Sequence, residues 1–239
     1  MAGKKVLIVV SDADHFPMKK TSGADAGKVV DQPSGYFLME LAKPLSKLLD
    51  AGYEVTFASP EGKEPTPDPN SESLLAFAGN FYERRRENEL IERMKKENGF
   101  SHPRKFSDIS DQELEKFSGV FLPGGHAPLA DLGDNKDLGR ILKHFHAEHK
   151  PTAAICHGPY AFLSTKAVGD FAYKGYKITK IKKVESSLRD AGADMQEGIG
   201  EKFGSITVDR EVVSGGNPMA ANALGDQFLE MLKTAPAKA

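Results

Sequence analysis

Short apolar runs alternate with helix-period stretches along most of this chain. Val6 to Val10 is a β-branched run of the kind that forms a strand buried on both faces of a parallel sheet. A loop rich in Asp, Lys, Thr and Gly follows through Asp31. Ser34 to Leu49 then sets Phe37, Leu38, Leu41, Leu45, Leu48 and Leu49 at helical spacing, and Ala51-Gly52 closes that helix. Tyr53 to Ala58 reads as the second strand, Gly119 to Leu122 as the third, Thr152 to Ile155 as the fourth and Tyr176 to Ile181 as the fifth. Ile206 to Val208 and Glu211 to Val213 flank Asp209-Arg210 and read as a hairpin or a strand with a turn. Asn217 to Leu232 predicts a closing helix, and Thr234 to Ala239 a frayed tail. This alternation predicts an α/β fold with a doubly wound, mostly parallel central sheet.

One stretch breaks the pattern. Pro65, Pro67 and Pro69 force an extended approach to a densely charged segment, Glu83 to Glu97, whose apolar positions are Leu90, Ile91 and Met94. Arg84-Arg85-Arg86 is nearly balanced by Glu83, Glu87, Glu89, Glu92 and Glu97, which favours a solvated helix over a nucleic-acid site. Residues 61–108 are therefore expected to be a helical insertion, a lid or a flank, within one domain spanning 1–239. Just beyond the insertion, Ser110-Asp-Gln-Glu113 is a capping box that would open a further short helix.

Composition narrows the function classes. With 39% hydrophobic and 28% charged residues, the chain can bury a real core. A formal net charge of -2 and a pI near 6.4 give no electrostatic case for nucleic acid or a membrane surface as partner. The apolar stretch after Lys4-Lys5 is too short for a secretory signal, and no run is long enough to cross a bilayer. A single cysteine excludes an internal disulfide and fits a reducing, cytoplasmic setting.

That cysteine lies in Ile155-Cys156-His157-Gly158-Pro159, between the fourth strand and a segment, Pro159 to Ser164, with helix-like spacing. A strand-to-helix turn directs backbone N–H groups outward, and a helix N-terminus favours the thiolate, so Cys156 has the setting of a nucleophile elbow. The alternative is a small buried cysteine. Phe121-Leu122-Pro123-Gly124-Gly125-His126 ends the third strand, and both loops lie at carboxyl ends of strands, where doubly wound sheets bind ligands. The Gly125 and His157 N–H groups could flank one developing oxyanion, with Gly124 and His126 lining the same pocket. Glu40 sits at the edge of the apolar stripe of the first helix. It is either a solvated border residue or a partly buried acid–base group sharing a proton with Cys156. His144, His146 and His149 are not spaced to meet on one helix face, and one cysteine cannot build a zinc cluster.

Three motifs together resemble the ThiJ/PfpI superfamily: Ala-Ile-Cys-His-Gly-Pro at 154–159, Leu-Pro-Gly-Gly-His at 122–126 and Ser-Gly-Gly-Asn-Pro-Met-Ala-Ala-Asn at 214–222. The similarity, which extends from Lys4 to about Leu232, is to the heat-shock-protein-31 type, glutathione-independent glyoxalase III branch. The resemblance implies a flavodoxin-like sandwich, a homodimer, and conversion of methylglyoxal to D-lactate with no cofactor, no metal and no glutathione. Deglycation of proteins and a holdase role toward unfolded clients are implied as further activities. Carried over by position, Cys156 matches the nucleophile, His157 its neighbour and Glu40 the buried glutamate. The acidic residue that orients the histidine in relatives falls at Ser186 here, leaving the adjacent Glu185 as the candidate, and Leu49 stands where some relatives have a histidine metal ligand. A holdase or redox-sensing protein, and an amidase or peptidase on the shared elbow, are the competing functions.

Overall fold

The computed structural model describes residues 3–73, 78–197 and 204–235. Its strands are β1 (Lys5–Val9), β2 (His15–Lys19), β3 (Val29–Pro33), β4 (Glu54–Ser59), β5 (Arg104–Lys105), β6 (Gly119–Leu122), β7 (Thr152–Ile155), β8 (Lys177–Thr179), β9 (Asp194–Gln196), β10 (Ile206–Asp209) and β11 (Val212–Gly215). The α-helices are α1 (Leu38–Asp50), α2 (Phe81–Glu97), α3 (Asp111–Leu114), α4 (Pro128–Asp131), α5 (Lys136–Ala147), α6 (Glu185–Ala191) and α7 (Ala221–Thr234). Seven strands form the central sheet in the order β10-β11-β7-β6-β1-β4-β5, parallel except for the β10–β11 pair. This is the expected doubly wound α/β architecture, with the order reversing on either side of β1.

The pleat divides the core into two layers. Along β1, Val6 and Ile8 enter one apolar cluster while Leu7 and Val9 enter the other; Phe121 and the pair Val120 and Leu122 do the same on β6. One layer is closed by Leu38, Leu41 and Leu45 of α1 with Leu224 and Phe228 of α7. The opposite layer is closed by Leu138, Ile141 and Phe145 of α5 with Phe162 and Tyr173. Each large apolar side chain so buried contributes roughly 1.5–3 kcal/mol, which anchors the strand ends that carry the chemistry.

Several expectations are revised. The polar loop before Asp31 contains the β2–β3 hairpin, a separate two-stranded sheet whose residues alternate between exposed and half-buried. The first helix starts at Leu38 because Gly35 and Tyr36 are committed elsewhere: Tyr36 bridges both Pro67 and Gly125. The fifth expected strand, β8, pairs with β9 outside the central sheet. After Cys156 the chain runs as a 3-10 helix over Gly158–Val168 rather than as an α-helix. The hairpin around Asp209-Arg210 and the short helix capped by Ser110 form as the sequence predicts. Most of the expected frayed tail, residues 236–239, lies outside the described residues.

In the 61–108 segment, α2 lies against α1 and sends Ile91 and Met94 into the core beside Phe57 and Phe100. Its charged face is mostly solvated, and Arg85 pairs with Glu89 along the helix. Glu87 departs from that description, being buried against Lys43 of α1. The stretch before α2 runs beside Tyr36, where the Tyr36 N–H donates to the Thr66 carbonyl and the Asp68 N–H to the Tyr36 carbonyl. This pairing carries Asp68 to the carboxyl edge of the sheet.

Candidate active site

Cys156 leaves β7 with φ of 54°, a left-handed conformation uncommon for a residue with a side chain. Its backbone N–H donates to the Gly215 carbonyl at 2.8 Å, so the adjacent strand end pins the turn. The 214–222 motif supplies that pin and more: the Ser214 hydroxyl accepts from the Thr179 N–H at 2.9 Å, and Asn217 caps the turn at Met219. Cys156 is thereby held at the sheet edge, half-buried and packed against the core.

Gly124 and Gly125 make the opposing wall. A Cβ on Gly124 would collide with the Glu40 carboxylate and stand 2.6 Å from the Cys156 Cβ. Gly125 has φ of 103°, and a Cβ there would collide with the Gly35 carbonyl. The Gly125 and His157 backbone amides both lower the Cys156 pKa, as expected of N–H groups directed at a thiolate or oxyanion.

Glu40, in the first turn of α1, is fully buried. Burial raises its pKa to about 8, against smaller opposing pulls from the Cys156 thiol and the Gly125 amide. Neither carboxyl oxygen has a partner of good hydrogen-bond geometry among the described residues. Burial and then the Glu40 charge push the Cys156 thiol upward as well. The helix N-terminus invoked from the sequence therefore does not produce a resting thiolate, because desolvation outweighs it. At pH 7 both groups rest largely protonated, and the fraction with Glu40 ionised can take the thiol proton as sulfur attacks.

His157 is 8% exposed. Its Nδ1 lies 2.9 Å from the Gly125 carbonyl and 3.3 Å from the Cys156 sulfur. A carbonyl only accepts, so Nδ1 carries the proton and Nε2 keeps the lone pair. Burial, then the fields of His126 and Lys183, lower its pKa to about 4, leaving a neutral imidazole at pH 7. The ring of His126 packs on that of His157 with centroids 4.7 Å apart. Glu185 lies elsewhere: its carboxylate pairs with Lys180 and Arg189, and no hydrogen bond joins it to His157 among the described residues. Ser186, beside it, is exposed. Two residues that sequence reasoning passed over reach the site, Asp68 and Lys183. Asp68 follows Pro67 and precedes Pro69 and Asn70, a cap-like signal. Lys183 carries no such signal. No group of His, Cys, Asp and Glu suited to a metal ion occurs among the described residues.

A family model described as ThiJ/PfpI family-like matches residues 32–195, well over half of the chain. The chain belongs to the ThiJ/PfpI family. Within the family's wider range, the protein/nucleic acid deglycase HchA of Pseudomonas aeruginosa strain UCBPP-PA14 is 26% identical over 253 residues, covering 93% of this chain and 79% of the relative. HchA of Escherichia coli O1:K1 / APEC is also 26% identical, over 251 residues, with 92% and 78% covered. Among solved structures, the Rapid Encystment Protein 24 KDa of Francisella tularensis superposes with a TM-score of 0.76 at 19% identity, covering 95% of this chain and 98% of its own. Glyoxalase III from Candida albicans superposes with a TM-score of 0.72 at 21% identity, covering 95% and 96%. These likenesses establish the flavodoxin-like ThiJ/PfpI fold.

Proposed function

We propose that this protein is a glutathione-independent, glyoxalase III-type enzyme, a lyase acting on methylglyoxal and related 2-oxoaldehydes, with deglycation of proteins as a companion activity. The observation that carries the reading is the Cys156 elbow. A left-handed cysteine faces a buried carboxyl whose pKa is raised to about 8, between two backbone amides and beside a neutral histidine. The names of the HchA relatives and of the Candida albicans structure support the same substrate class.

The steps balance without an oxidant. With Glu40 ionised, the Cys156 sulfur bonds to the aldehyde carbon as its proton passes to Glu40; the carbonyl oxygen, held by the Gly125 and His157 amides, takes that proton from Glu40 and gives a hemithioacetal. The neutral His157 removes the proton from that carbon to give an enediolate, the hydroxyl proton passes to the neighbouring oxygen, and His157 returns its proton to the carbon bearing that oxygen, leaving a thioester. Water then cleaves the thioester, releasing the 2-hydroxy acid and the thiol. Glu185 takes no part in this sequence, since its carboxylate is held by Lys180 and Arg189.

A homodimer and a cytoplasmic location accompany the reading. No helix among the described residues is long and apolar enough to cross a membrane. The acidic balance argues against nucleic acid held by charge, while the relatives' name keeps glycated nucleic acid among the substrates to assay. A thiol pushed upward in pKa fits activation on demand better than redox sensing, which favours a resting thiolate. The test is D-lactate formation from methylglyoxal without added glutathione. Cys156→Ala is expected to lose it by on the order of a thousandfold, and undiminished turnover in that variant overturns the covalent route.

A further inference from the structure

Beside the reacting groups stands a row of three rings. Phe16 of β2 stacks on His126 with centroids 6.2 Å apart, and His126 packs on His157 at 4.7 Å. The middle ring is held at both nitrogens. Lys183 Nζ is 2.9 Å from His126 Nε2, and Asp68 Oδ2 is 3.4 Å from His126 Nδ1. An ammonium has only donors, so Nε2 must accept and Nδ1 must carry the proton toward the carboxylate. Asp68 is itself fixed: it is 2% exposed, and its Oδ1 accepts from the Asn70 N–H at 2.9 Å. His157, by contrast, meets a carbonyl and a sulfur, and no carboxylate among the described residues orients it.

We infer that Asp68, His126 and Lys183 form a positioning chain that holds the His126 ring in one orientation and one tautomer against His157. The charges acting on His126 come from Lys183, ahead of α6, and Asp68, ahead of α2. His157 faces Cys156, with Glu40 behind it. Without the Lys183 ammonium, Nε2 loses its partner, and only the Asp68 contact and the Phe16 stack hold the ring that packs on His157.

The turnover arm of the test rests on the proposed reaction; the other two arms do not. Full-length wild type, Lys183→Met and Lys183→Arg are compared, Lys183 being exposed so that its replacement leaves folding intact. Nitrogen-15 NMR of the imidazoles is expected to show His126 as the Nδ1–H tautomer in wild type, and as a mixture of tautomers in Lys183→Met. Iodoacetamide alkylation of Cys156 speeds up about threefold or more across its pH profile in Lys183→Met, as the rings beside the sulfur loosen. The kcat/KM for methylglyoxal falls about tenfold or more through kcat. Lys183→Arg, which keeps the charge and the donor, restores the wild-type behaviour in all three. An Nε2–H tautomer of His126 in wild type, or superimposable alkylation profiles, overturns the chain. A wild type that alkylates as expected but turns over no 2-oxoaldehyde overturns the reaction and leaves the chain standing.

Discussion

The Glu40 carboxyl and the Cys156 thiol meet over Gly124, where one added Cβ would collide with the first and stand 2.6 Å from the Cβ of the second. The closeness has an electrostatic consequence. Burial disfavours a charge on either group and the Glu40 carboxylate disfavours one on Cys156, outweighing the smaller pull of the Cys156 thiol on Glu40. At neutral pH the pair therefore rests largely as acid and thiol. Reactivity then depends on a proton moving between two named atoms rather than on a standing thiolate.

The first prediction concerns stability against pH. The Glu40 pKa rises from 4.5 to about 8 on folding, so the folded state binds this proton more tightly than the unfolded chain. The stabilisation is complete below about 4.5 and is lost as pH rises through about 8. Glu40→Gln keeps the shape and stays neutral. It is expected to gain on wild type between about pH 5 and pH 9, by on the order of a few kcal/mol. His157 acts on the acid side with the opposite slope, since its pKa falls from 6.5 to about 4 and its contribution is lost as pH falls through that window. Urea unfolding midpoints across the range check this, and a constant difference between the two proteins would exclude the buried-acid account.

The second prediction is Gly124→Ala. The new methyl meets the Glu40 carboxylate, the Cys156 Cβ and the Ile155 carbonyl, of which the last belongs to a central strand and cannot yield cheaply. A loss of about 1–3 kcal/mol in stability is expected, together with a fall of about a hundredfold or more in kcat as the adjacent Gly125 amide leaves its place. Thermal unfolding and steady-state kinetics on the same preparation separate the two effects. Full activity in a stable variant would show that this wall is not part of the site.

The third prediction separates Glu185 from the chemistry. With its carboxylate held by Lys180 and Arg189, Glu185→Gln should change kcat/KM by less than about threefold, as expected for a substitution in a partly exposed ion-pair network. A loss of a hundredfold would place that carboxylate on His157 during turnover.

Much of this arrangement was legible in the sequence because its strongest signals are local. β6 and β7 coincide with their apolar runs, residue for residue, since strands buried on both faces need continuous hydrophobicity. Cys156, His157 and the glycine pair follow from their place at the ends of those strands. The β2–β3 hairpin was hidden because its residues alternate between exposed and half-buried and include Lys, Asp and Gln. The pairing of β8 with β9 was hidden for a different reason: periodicity marks a strand without naming its partner. Asp68 and Lys183 stand 58 and 57 residues from His126, and only the folded path of the chain brings them to its two nitrogens.

The last prediction tests how the charged segment is fastened. Lys43 of α1 reaches both Glu83 and Glu87 of α2, and its ammonium is 3.2 Å from the Glu87 carboxylate. Glu87 is 4% exposed, and burial holds its pKa above the ordinary value in spite of Lys43. Removing the cation alone leaves a buried carboxyl without its main partner, so Lys43→Met should cost about 2–3 kcal/mol. Adding Glu87→Leu removes the stranded group and fills the same space with apolar atoms, recovering most of that loss; a double-mutant cycle should show coupling of about 1 kcal/mol or more. Additive losses would mean that Lys43 does not compensate Glu87. In that case Ile91 and Met94, which enter the core from the same helix, fasten α2 by themselves.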